Sequence, residues 1–115
     1  MKDLTNEAFI SLFRQAFQKC YGFPLAEVLS ETESKHFSNA ILDQTGLVIG
    51  AKSIKNYSAY IINGPVSKPE NPSIATLDTF ARYVQDAPYT TESERKDKEG
   101  HYPWWYQYKN SYVST

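Results

Sequence analysis

The sequence predicts a compact all-α domain of four to five helices with a helix-turn-helix-like core. Three observations carry that prediction. Apolar residues recur at three- and four-residue spacing in separate stretches that contain Phe13, Phe37, Tyr57 and Phe80, the period of a helix with one buried stripe. Gly22, Gly46 and Asn63-Gly64-Pro65 punctuate those stretches where a helix should stop. Strand material is confined to Leu47–Ile49 and Tyr60–Ile62, room for no more than a tiny β-ribbon. At 115 residues, with 41% hydrophobic content and 15% aromatic, one modest core is expected, built largely from bulky rings.

The first helix is expected from an N-cap at Thr5 to about Cys20, with Phe9, Ile10, Phe13, Ala16, Phe17 and Cys20 on its inner face. Gly22 stops it, and Phe23 is placed to fold back on the last turn. Pro24 then suits the first position of a short helix or turn over residues 24–30. Ser30 and Glu33 have the spacing of a capping box. The helix they open carries His36, Phe37, Ala40, Ile41 and Thr45 on one stripe and ends at Gly46. After the apolar turn Leu47–Ile49, a second helix is expected over about 52–62, with Ile54, Tyr57 and Ile61 inward. Pro65, Pro69 and Pro72 exclude a helix interior between the two halves of the chain. Ser73 or Asn71 caps the next helix, whose buried face is Ile74, Leu77, Phe80, Ala81 and Val84, with Asp78 near its start favouring the dipole. Residues 1–88 are thus read as the core, 89–100 as a charged loop or insertion, and 101–115 as an aromatic segment that closes the core. The uncharged finish at Thr115 fits the start of a longer protein.

The charge pattern limits the function classes. Net charge is −1, which argues against a strongly basic nucleic-acid domain. Yet Gln44 to Pro69 holds Lys52, Lys55 and Lys68 and no acid, so the second helix of the pair is locally positive. No apolar run approaches the ~20 residues of a membrane span, and the first residues lack the apolar stretch of a signal peptide. The single cysteine, Cys20, excludes a disulfide framework and points to a reducing cytoplasm. His36 and His101 lack neighbouring ligands, so no metal or cofactor is expected. The phosphate-binding glycine motifs are absent, and Cys20 follows the apolar rhythm of its helix rather than that of a nucleophile. The expectation is a protein without catalytic chemistry or a small-molecule ligand.

The run over residues 37–61, F-S-N-A-I-L-D-Q-T-G-L-V-I-G-A-K-S-I-K-N-Y-S-A-Y-I, is followed by P-S-I-A-T-L-D-T-F-A-R-Y-V-Q over 72–85. Together they resemble a small helical module at the N-termini of many bacterial multidomain proteins. That module carries a T-G stop, a T-L-K segment, and then P-S-x-x-T-L-D-x-L-A-x-Y followed by a tryptophan. Thr45-Gly46, Ser53-Ile54-Lys55, Pro72-Ser73, Thr76-Leu77-Asp78 and Ala81-Arg82-Tyr83 match it, with Trp104 or Trp105 in the last place. Ser53 stands where threonine is usual, and a charged insertion precedes the tryptophans. The resemblance implies a helix-turn-helix-like fold and an attachment or DNA-reading role.

Two functions follow as expectations. In the first, the helix at about 52–62 binds DNA, with Lys52, Ser53, Lys55, Asn56 and Ser58 along its exposed side. Lysines would meet phosphate or guanine and Asn56 adenine, while Lys68 and Arg82 hold the backbone from the flanks. In the second, the chain is a protein-interaction or oligomerisation module that presents Trp104, Trp105 and Tyr108, or the apolar turn Leu47–Ile49, to a partner.

Overall fold

The computed structural model describes residues 5–64, 71–96 and 102–114. Six helices account for them: α1 (Thr5–Tyr21), α2 (Glu31–Thr45), α3 (Ala51–Asn63), α4 (Ile74–Val84), the single turn α5 (Glu92–Glu94) and α6 (Pro103–Ser114). Among the described residues there is no strand. Leu47–Ile49 is irregular and Tyr60–Ile62 is helical, so the ribbon allowed by the sequence does not form. Thr5 is the first residue of α1 rather than its cap.

α1 supplies the aromatic face of the core. Ala8, Phe9, Leu12, Phe13, Ala16 and Phe17 are all buried, and α2, α3 and α4 each bring a ring against that face. The Phe13 ring lies edge-on to Phe37 of α2 at 5.7 Å and to Phe80 of α4 at 5.5 Å. Phe9 meets Tyr57 of α3 at 5.3 Å. Edge-to-face pairs of this kind add roughly 0.5–1.5 kcal/mol each beyond the area they bury. α6 lies across α4 and α1, with Trp105 and Tyr108 in the core and the Tyr108 hydroxyl 3.0 Å from Ser11 Oγ.

The helix ends are tied by specific groups. Ser30 Oγ accepts from the Glu33 N–H, and the Glu33 carboxylate accepts from the Ser30 N–H, so the capping box forms at α2. Ser73 Oγ accepts from the Thr76 N–H at the start of α4. At the end of α4 the Tyr83 carbonyl accepts from both Lys19 Nζ of α1 and Gln44 Nε2 of α2, which joins three helices at one atom. A cation there also complements the negative end of the helix. Gly46 ends α2 at φ 81°, and a Cβ at this position would stand 1.8 Å from the Thr90 carbonyl oxygen. Glycine is therefore required twice, for the left-handed backbone and for the close approach of residue 90, whose N–H donates to the Thr45 carbonyl.

Three sequence expectations are corrected. Residues 24–30 do not form a helix. The Leu25 carbonyl accepts from Arg14, and the Leu29 N–H donates to Ser58 Oγ, so this short segment satisfies its backbone on α1 and α3 instead of nucleating a helix of its own. Asp78 is not a first-turn residue facing the dipole of its own helix. It is fully buried, and its Oδ2 accepts from Arg82 Nε at 2.7 Å and from Arg95 Nη1 at 3.3 Å. Its Oδ1 accepts from the N–H groups of Trp104 and Trp105, both at 3.1 Å. The charged stretch after residue 88 is likewise no free loop as far as it is described. α5 is capped by Thr91, and Arg95 is buried between Asp78, Thr79 and Glu92.

Removing the Asp78 carboxylate takes a buried acceptor from Arg82, from Arg95 and from the N–H groups of Trp104 and Trp105 at once. Asp78→Ala is expected to cost about 3–5 kcal/mol, read as a lower urea midpoint, with loss of the Trp105 environment in near-ultraviolet circular dichroism.

Alkali should also weaken the fold. Burial, with Cys20 and Glu33 nearby, pushes the Tyr21 hydroxyl up to about 12. Burial likewise raises Tyr83, Tyr108 and the Cys20 thiol above their ordinary values. The folded state therefore holds protons that the unfolded chain releases between about pH 9 and 10. Stability from these groups should be complete below about pH 9 and fall steadily as pH rises through 10 toward 12. Urea unfolding at about pH 8 and pH 11 checks the sign.

Candidate functional site

The N-terminal ends of α2 and α3 lie side by side and enclose a recess of about 470 Å³, lined by Glu31, Ser34 and Lys35 of α2 and by Ala51, Lys52, Lys55 and Asn56 of α3. Lys52, Lys55 and Asn56 share one side of α3 because they stand three and four residues apart. Lys35 joins them from α2, one turn beyond Glu31. Three cationic side chains thus face one carboxylate. Among the described residues no ion pair engages Lys35, Lys52 or Lys55.

The turn that positions α3 is anchored on both sides. Thr45 Oγ1 donates to the Ile41 carbonyl and accepts from the Leu47 N–H at 3.1 Å. Ser38 Oγ donates to the Ile49 carbonyl at 2.6 Å. Leu47 and Ile49 are buried, whereas Val48 between them is 72% exposed. α3 then begins at Gly50, which has no side chain to cap it. The N–H groups of its first turn consequently have neither an intrahelical acceptor nor a side-chain cap.

The structure brings together only part of the sequence-derived set. Lys52 and Asn56 are exposed, and Lys55 is half-buried at the recess. Ser53 is half-buried and does not line it. Ser58 is fully buried; its Oγ donates to the Lys55 carbonyl and accepts from the Leu29 N–H, so it holds the 24–30 segment and offers nothing to a ligand. Arg82 is 1% exposed and engaged by Asp78, which removes it from any DNA-facing surface. Lys68 lies outside the described residues. Trp105 and Tyr108 face the core, and Trp104 is half-buried against it, so these three rings lie against this chain's own core, while Tyr106 is exposed.

Lys35 and Ser34 were missed because α2 reads by itself as a solvated helix with a buried stripe. The available signals were the Glu31–Lys35 spacing and a glycine, not a capping residue, immediately before α3. Elsewhere, the Cys20 thiol interacts with Tyr83, and burial pushes it up rather than activating it. The His36 ring rests on Tyr21 at 5.4 Å. No group of three His, Cys, Asp or Glu residues that could hold a metal ion occurs among the described residues. None of their helices is long and apolar enough to cross a membrane.

Compared with protein-family models, curated proteins and solved structures, the chain matches none of them significantly. The resemblance carried by the Thr-Gly and T-L-D…A-R-Y segments therefore rests on those residues alone.

Because neither lysine has an ion-pair partner among the described residues, Lys52→Ala, Lys55→Ala should change stability by no more than about 0.5 kcal/mol. Thermal unfolding of the double variant tests this, and the same protein then serves to probe binding.

Proposed function

We propose that this is a non-catalytic DNA-binding module that docks through the basic junction of α2 and α3. One observation carries the reading: Lys35, Lys52 and Lys55, free of ion pairs among the described residues, surround the uncapped start of the second helix of a helix–turn–helix pair. Lysines at such a surface contact phosphates and set register, and the positive end of a helix adds to the attraction. Asn56, exposed beside them, has the donor and acceptor to pair with an adenine edge. Ser58 and Arg82 take no part in this interface, which is correspondingly smaller than the sequence alone suggests.

A second reading, a protein-interaction module, is favoured by a different patch. Val48 and Tyr89 are both exposed, and Tyr89 lies over Gly46, so the turn presents apolar area on the side away from the core. Self-association would appear as a mass that rises with concentration in light scattering and falls back in Val48→Ser.

The DNA reading is tested by fluorescence anisotropy against mixed-sequence duplex at low and physiological salt. Binding should weaken steeply with salt. Lys52→Ala, Lys55→Ala should lower the slope of log affinity against log salt by about two, roughly one per phosphate contact. No binding at low salt, or an unchanged slope, overturns it.

A further inference from the structure

The recess between α2 and α3 has the features of a discrete anion site. α3 is a 13-residue helix whose N-cap is Gly50, with no side-chain cap. Its first-turn N–H groups, on Ala51, Lys52 and Ser53, thus stand at the positive end of the helix without a side-chain acceptor. Ala51 and Lys52 line the recess. Ser34 lines it from the opposite helix; this residue is 1% exposed, and its Oγ is buried without a hydrogen-bond partner. Buried hydroxyls in folded proteins are normally partnered, so a vacant one in the wall of a cationic recess points to a group that belongs there. Lys35, Lys52 and Lys55 supply charge in excess of the single carboxylate, Glu31. At about 470 Å³ the recess also has room for whatever carries the anion.

We infer that this recess binds a phosphate group through the N-terminus of α3, with Lys35, Lys52 and Lys55 balancing its charge and Ser34 Oγ donating to one of its oxygens. Three ammonium groups and a fan of N–H donors match a tetrahedral dianion better than a planar, singly charged carboxylate. The inference rests on the same surface as the DNA reading and deepens it. A nucleic-acid phosphate and the phosphate of a free phosphorylated compound present the same chemistry to the recess.

Amide NMR titration of the full chain with inorganic phosphate, at ionic strength held constant with chloride, tests it. Saturable shifts are expected at Ala51, Lys52 and Ser53 and at Ser34; shifts there that do not saturate overturn it. The decisive variant is Gly50→Asp. A Cβ at Gly50 meets nothing within 4 Å, and φ there is −63°, so a carboxylate cap can fold onto the same N–H groups without strain. It should weaken phosphate binding by about tenfold or more, while the melting temperature holds or rises. Asn63→Asp adds the same charge about 20 Å away at the other end of α3 and should bind within about twofold of the parent protein. Equal binding by Gly50→Asp and the parent refutes the site. Duplex anisotropy on the same proteins separates the two readings. Saturable phosphate binding without duplex binding supports the recess, assigns its phosphate to a free compound and removes the DNA module. Duplex binding that neither phosphate nor Gly50→Asp weakens refutes the recess and leaves the basic face standing.

Discussion

The fold depends on where the Asp78 carboxylate is placed. It is the one buried acid among the described residues, and a lone buried carboxylate is costly unless its oxygens are filled. Here both are filled, from three directions. Arg82 comes from the next turn of α4, Arg95 from beyond α5, and the N–H groups of Trp104 and Trp105 from the start of α6. The last two make Asp78 the N-terminal cap of a helix to which it does not belong. A negative charge at that position also complements the positive end of α6. Through this one group the charged stretch and the aromatic segment are both fastened to α4, and Trp105 is held against the core.

The strain nearby is consistent with that role. Tyr102 adopts φ 51° just before α6, a left-handed backbone that costs a non-glycine residue about 1–3 kcal/mol. The Arg95 guanidinium lies 5.4 Å from its ring centroid, so the same cation that pairs with Asp78 also supports the turn leading into α6. At the other end of the molecule the logic is reversed. α2, α4 and α5 each begin with a side-chain cap, α6 borrows Asp78, and α3 begins with glycine and none. Polar satisfaction is thus concentrated where the C-terminal helix must dock, and left open where α2 and α3 meet among lysines.

Much of the fold was legible because helices announce themselves locally. The stripe Phe9, Phe13, Phe17 on α1, the Ser30–Glu33 capping box and the Gly46 stop all act over three or four residues, and each is found in place. The candidate site was legible only on α3, since periodicity groups Lys52, Lys55 and Asn56 on one side. Ser58 looked equally exposed by spacing; its burial follows from the 24–30 segment, which lies over that side of the helix and binds its hydroxyl. Arg82 looked like a surface cation because Arg95 and the start of α6, which share the Asp78 carboxylate with it, arrive from residues far along the chain.

The sequence by itself therefore determined the four helices α1–α4, the caps at Ser30 and Ser73, the stop at Gly46 and the aromatic core they share, because those signals depend on neighbours within one or two turns. Tertiary structure alone decided three things. Asp78 became a buried cap instead of a dipole residue, Ser58 and Arg82 were buried rather than exposed, and Lys35 with Ser34 came to face the start of α3. The physical reason is common to all three: a charge or hydroxyl takes its meaning from the groups that surround it. Here those groups are supplied by helices that only folding brings together.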